Sequence, residues 1–263
     1  MRSFIRKLLL KYKVATLLIV FAFFLGWEFL SQTRFLNLYI WYFFRPPSTI
    51  VSELIYEAVS LKLMNNALFS LYRISVGFAI AALIGVPFGL VVGWSKLGNE
   101  IFGPLIDLFR PMPHIALYPL LVILLGLGDQ SKIFLVTLQC FFIITIGAMY
   151  GGRSVDRLLV NQLKVMGARD KEIFFEAVIW SAMPFIFSAL RISIAVSWIA
   201  LVTAEMIGAT EGIGWSILFY EKSSSFAAMF AYIFVISILA GLMLQILLFA
   251  ERRLLRWHRA LAI

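Results

Sequence analysis

Two sets of residues in this chain have the types and placement to do chemistry. The first is a pair of ionisable side chains, Arg73 and Glu205, each near an end of a long apolar run. Charges within a bilayer are costly, so such residues are functional candidates by default. Glu205 lies 21 residues beyond Pro184. That is about 31 Å along an α-helix, nearly the thickness of the hydrocarbon layer. Glu205 can therefore reach the depth of Arg73 from the opposite side. Two readings stay open: a charge-assisted pair that gates a pathway, or two side chains that snorkel to water separately. The second set is Gly167-Ala168-Arg169-Asp170, with Asn161 just upstream, inside the polar interruption at 158–191. Gly167 permits a sharp backbone turn. Asp170 is predicted to cap the next helix, and Glu172 sits where a helix dipole favours an acid. Leu159, Leu163 and Met166 share one helical face. Such an elbow either joins two membrane helices or fits a partner's groove.

The chemistry that is missing also narrows the choice. There is no His-Glu-x-x-His, no Gly-x-Ser-x-Gly and no paired Asp motif. His114 and His258 are far apart, and the single cysteine, Cys140, lies in an apolar run. No metal site, internal disulfide or bound cofactor is expected. An intramembrane enzyme or lipid-processing protein remains the alternative. It would need convergent reactive groups, which the pattern does not supply.

The elements that must position these residues are membrane helices. The 263 residues are 62% hydrophobic, with mean hydropathy +0.95, against about 45–50% apolar residues in soluble domains. Apolar spans are predicted at 14–30, 69–94, 115–127, 133–150, 182–207 and 226–250. The first follows a basic start, and no small-residue cleavage site follows it, so it reads as an uncleaved helix. The third is short for a crossing and contains Pro119. Gly77, Gly85, Gly89 and Gly93 fall at multiples of four on the second span, and Ala189, Ser193 and Ser197 repeat at spacing four on the fifth. Both ridges suit close helix packing. Between the first two spans lie an aromatic stretch at 37–44 and an amphipathic one carrying Ile50, Leu54, Ala58 and Leu61. With the N-terminus inside, sixteen Lys and Arg fall on the inner segments and six on the outer. The positive-inside rule then places both termini and the elbow in the cytoplasm. The net charge of +9 is explained by this bias and needs no nucleic acid. The fold class expected is an all-α membrane protein of six transmembrane helices.

The elbow resembles the signature loop of ABC importer permeases: Glu-Ala-Ala, three residues, Gly, nine residues, then an apolar residue, any residue and Leu-Pro. Gly167-Ala168-Arg169 matches its centre and Met183-Pro184 a second Leu-Pro. Asn161-Gln162-Leu163 stands in place of Glu-Ala-Ala, and Ile179-Trp180 in place of the first Leu-Pro. Further stretches resemble the branch that imports aliphatic sulfonates, taurine, nitrate, bicarbonate or pyrimidine precursors. These are Ser70-Leu71-Tyr72-Arg73, the Pro-rich entry at 110–120, Gly126-Leu127-Gly128-Asp129 and Ala204-Glu205-Met206. The resemblance implies a type I importer permease of a bacterial inner membrane, with a core at 46–263 after an N-terminal segment at 1–45. It also implies a second permease copy, a substrate-binding protein outside, and two ATPase subunits that hold ATP-Mg. Asn161, Gly167, Ala168, Arg169 and Asp170 would then lie in the helix that couples to the ATPase, at about 158–180.

Overall fold

The structure is a computed structural model that describes residues 2–33 and 43–255, with side chains from residue 14. The aromatic residues at 37–42, Arg34, the basic side chains of 1–13, and Arg256 and Arg259 lie outside that range. Every regular element is helical among the described residues. In chain order these are α1 (Arg2–Thr33), α2 (Pro47–Val59), α3 (Lys62–Trp94), α4 (Lys96–Phe109), α5 (Tyr118–Leu125) and α6 (Asp129–Arg153). Then come α7 (Arg157–Val165), α8 (Asp170–Ile173), α9 (Ile179–Gly208), α10 (Ile213–Lys222) and α11 (Phe226–Leu254). A 3-10 turn, His114–Leu117, leads into α5, and a π-turn, Phe174–Val178, joins α8 to α9. Five of the helical stretches described are long and apolar enough to cross a membrane: Val14–Thr33, Lys62–Trp94, Asp129–Arg153, Asp170–Gly208 and Phe226–Leu254. A sixth candidate is the pair Lys96–Phe109 and His114–Leu125, bent by 81°.

The chain divides into two compact units, residues 1–64 with 216–234, and residues 65–215 with 235–263. In the first, Trp27 of α1 packs edge-on against Phe230. The inward side of α2 includes only part of the amphipathic stripe. Ile50 and Glu57 are buried, while Ala58 and Leu61 are exposed. Glu57 turns inward because two phenols meet it: Tyr220 Oη donates to Oε1 at 2.7 Å and Tyr232 Oη to Oε2 at 2.9 Å. The same bond and burial push the Tyr220 hydroxyl upward in pKa, burial being the larger cause.

The second unit carries both candidate sites. Its α3 and α6 pack through the predicted glycine ridge. A Cβ on Gly77 would come within 2.8 Å of Val136 Cγ1, and one on Gly89 within 2.8 Å of Ala148 Cβ. Any larger residue would hold these helices apart. Pro87 lies inside an unbroken α3. The seam between α6 and α9 uses the second ridge. Ala189, Ser193 and Ser197 are buried, and a Cβ on Gly151 would lie 2.8 Å from Ala182 Cβ. Pro119 falls in the first turn of α5, where its missing N–H costs nothing. The predicted outer loop at 208–225 is instead largely helical, as α10. Pro184, near the start of the predicted fifth span, lies inside a helical stretch that already begins at Asp170.

The path from α3 to α6 is set by contacts at both helix ends. Arg73 meets Asp129 at the start of α6. At the other end, Arg153 of α6 bonds to Asn99 of α4. The bent α4–α5 segment therefore leads from one end of the α3/α6 pair to the other.

Candidate functional site

Arg73 and Glu205 are both buried and directly paired, with Arg73 Nη1 to Glu205 Oε1 at 2.7 Å. This excludes the reading of separate snorkelling. The pair belongs to a larger cluster. Arg73 Nε donates to Asp129 Oδ1 at 2.7 Å, and Nη1 also donates to the Glu211 carbonyl at 2.8 Å. The Ser70 hydroxyl lies 2.8 and 2.9 Å from the two carboxylate oxygens of Glu205. It accepts in turn from the Ile213 N–H at 2.9 Å. The Gly214 N–H donates to Glu205 Oε2 at 2.9 Å, and the Gly212 N–H to Asn66 Oδ1 at 2.8 Å. Glu205 is 0% exposed. A carboxylate so buried persists only with its charge paired and its oxygens hydrogen-bonded, and here both conditions hold. The cluster ties α3, the start of α6, the end of α9 and the 209–214 turn to one point.

Asp129, Ser70 and the Gly214 amide were not recognised as partners from sequence. The only local hint was the Gly-x-Gly-Asp turn, whose Gly126 has φ +80°. Lys132, counted as an outer cation, is buried. Its ammonium donates to the Leu127 carbonyl at 2.6 Å and the Gly128 carbonyl at 3.0 Å. It closes the turn that presents Asp129.

The elbow is built by local chemistry. The Asp156 side chain caps α7 by accepting from the Leu158 N–H at 2.8 Å. Gly167, at φ +90°, ends the helix. Its N–H bonds to the Lys164 carbonyl and that of Ala168 to the Leu163 carbonyl, each at 3.0 Å, a left-handed C-terminal turn that favours glycine. The predicted cap at Asp170 is displaced by one residue. Arg169 occupies the capping position and Glu172 Oε2 accepts its N–H at 2.8 Å. Asp170 instead pairs with Lys164 at 2.9 Å, in the open. The predicted apolar face is also corrected. Val160, Leu163 and Ala168 pack onto Val155, Ile173, Ala177 and Val178, while Leu159 and Met166 are exposed. Val165 and Met166 stand 88% and 83% exposed at the tip. Asn161 is exposed beside Lys96 and Arg157 in a groove.

The elbow and the ion-pair cluster lie at opposite ends of one continuous helical stretch, Asp170–Gly208. The same long helix therefore links the two candidate sites. Comparison with known proteins identifies the family. Residues 85–256 match the family described as binding-protein-dependent transport system inner membrane component, and the chain belongs to it. It is similar to the taurine transport system permease protein TauC of Escherichia coli (strain K12), 34% identical over 221 residues, or 82% of this chain and 80% of that one. It is also similar to the nitrate import permease protein NrtB of Synechocystis sp., 30% identical over 182 residues, 69% of this chain and 66% of that one. Among solved structures, the inward-facing MetNI methionine ABC transporter shares its fold, with TM-score 0.60 and 21% identity over 72% of this chain and 92% of that one. The chain is a multi-pass permease subunit of an ABC importer and not itself an enzyme, since ATP hydrolysis belongs to a separate subunit.

Proposed function

We propose that this permease imports a small solute with an oxyanion group, such as taurine, another aliphatic sulfonate or nitrate, across a bacterial cytoplasmic membrane. The names of TauC and NrtB support that substrate class. A binding protein delivers the solute from outside, and two permease copies form the path. Two ATPase subunits, which hold the ATP-Mg, drive it. This chain binds no cofactor. The polypeptide crosses six times with both termini in the cytoplasm, the bent α4–α5 segment making the third crossing and 46–263 forming the permease core. Arg73 and Glu205, with Asp129, act as an outer latch. The elbow residues Asn161, Gly167, Ala168, Arg169 and Asp170 dock on the ATPase, and the exposed tip of Val165 and Met166 joins them.

The observation that carries this reading is the elbow. Its lower side is packed and capped, while its tip presents two large apolar side chains that stand exposed among the described residues. A surface of that kind is matched by a partner's groove. The experiment is taurine and nitrate uptake into proteoliposomes containing the permease, its ATPase and its binding protein. Uptake should require ATP inside and binding protein outside. Equal uptake without ATP would refute the reading.

A further inference from the structure

A cavity of about 840 Å³ runs along α6 and α9 in the second unit. Its polar lining includes Arg110, His114, Gln139, Arg153 and Ser188, and no carboxylate lines it. Arg110 makes no ion pair among the described residues. Arg153 bonds to the Asn99 amide and lies over the Tyr150 ring at 5.9 Å. His114 is only 4% exposed. Its ring stacks on Phe142 at 4.9 Å and neighbours the Gln139 side chain, yet its Nε2 has no hydrogen-bond partner. Burying a polar nitrogen without a partner is costly, so a hydrogen-bonding group from water or from a ligand is its complement. Gln139 precedes Arg153 by 14 residues on α6, which is about 21 Å of helix. Arg153 therefore sits toward one end of the cavity, while Arg110 follows Phe109, which packs on Phe142 at 6.2 Å beside the His114 ring.

We propose that His114 and Gln139 form an oxyanion-binding subsite inside the permease, with Arg110 and Arg153 supplying the positive potential that draws the anion along the cavity. The inference rests on the transport reading above and adds the place where the solute is held in the membrane. The Gln139 amide can satisfy one ring nitrogen, which leaves an imidazole N–H to donate to a sulfonate or nitrate oxygen. Neutral donors suit a transit site. Binding must be favourable enough to admit the ion and weak enough to release it. The apolar remainder of the wall strengthens those bonds by excluding water.

Two measurements on the reconstituted complex test this. The first is radiolabelled taurine uptake by the wild type, His114→Leu and His114→Asn. A lost hydrogen bond to an anion predicts uptake about tenfold lower in His114→Leu. His114→Asn retains a donor and should stay within about threefold of the wild type. Wild-type uptake in His114→Leu, or equal losses in the two variants, would overturn the subsite. The second is cysteine labelling of His114→Cys in a Cys140→Ser background. Methanethiosulfonate ethylsulfonate, itself a sulfonate, should react faster than its trimethylammonium counterpart, and taurine should slow it. No labelling, or faster labelling by the cation, would overturn the anion assignment. If the wild type takes up neither taurine nor nitrate, the transport reading fails, whereas the labelling ratio still decides the chemistry of the cavity.

Discussion

Glu205 accepts from an arginine, a serine and a backbone amide at once, and this multiplicity governs what substitutions there will do. Arg73→Gln leaves a buried carboxylate without its counter-ion and should cost about 3–5 kcal/mol of stability. Chemical unfolding in detergent would measure it. The double variant Arg73→Gln/Glu205→Gln should lose less than the sum of the singles, because it removes both charges together. A strictly additive double variant would contradict the buried pairing. A swapped pair, Arg73→Glu with Glu205→Arg, should not recover transport. Glutamate at 73 would face Asp129, and arginine at 205 would point donors at the Gly214 N–H. Sequence placed Arg73 and Glu205 at one depth by counting helical rise. It could not name Asp129 or Ser70 as partners, since they meet across 56 and 135 positions of chain. Local periodicity carries no information at that range. His114 was set aside for lack of a second histidine, and its value lies in an unpaired nitrogen that only packing reveals.

Helices were more legible than their partners. The glycine ridge of α3 and the small-residue ridge of α9 were plain at multiples of four, and the structure shows that both face α6. Gly89→Val should therefore destabilise the protein by about 1–3 kcal/mol through overpacking. Gly26→Val should be nearly neutral, since a Cβ there meets nothing within 4 Å. Thermal unfolding of the two variants side by side checks this, and equal midpoints would count against the α3/α6 seam. On the amphipathic helix α2, hydrophobicity could not mark Glu57 as an inward residue. Two tyrosine hydroxyls make Glu57 the better inward residue. The elbow was legible as an elbow because Gly167 needs a left-handed backbone. Its exposed tip was not, because Met166 fits the helical apolar period as well as Leu163 does. Only the burial pattern separates the residue that packs inward from the one left for a partner.

At the scale of the whole molecule, composition and the Lys/Arg bias suggested a membrane bundle with its elbow in the cytoplasm. Lys171→Cys in a Cys140→Ser background should react with an impermeant thiol reagent only from the cytoplasmic side. Labelling from outside would reverse the proposed topology. The α4–α5 segment was hard to read from sequence because each helix is short, and the 81° bend between them leaves no single apolar run. In the proposed mechanism, force passes from a partner ATPase through the elbow to the far end of the Asp170–Gly208 stretch. Met166→Asp tests that link with little folding cost, since the side chain is 83% exposed. The decisive measurement is taurine uptake and binding-protein-stimulated ATP hydrolysis in the same proteoliposomes, wild type against Met166→Asp. Both are expected to fall together, by about tenfold for an apolar interface contact replaced by a charge. Wild-type uptake and stimulation in Met166→Asp would contradict the proposed mechanism.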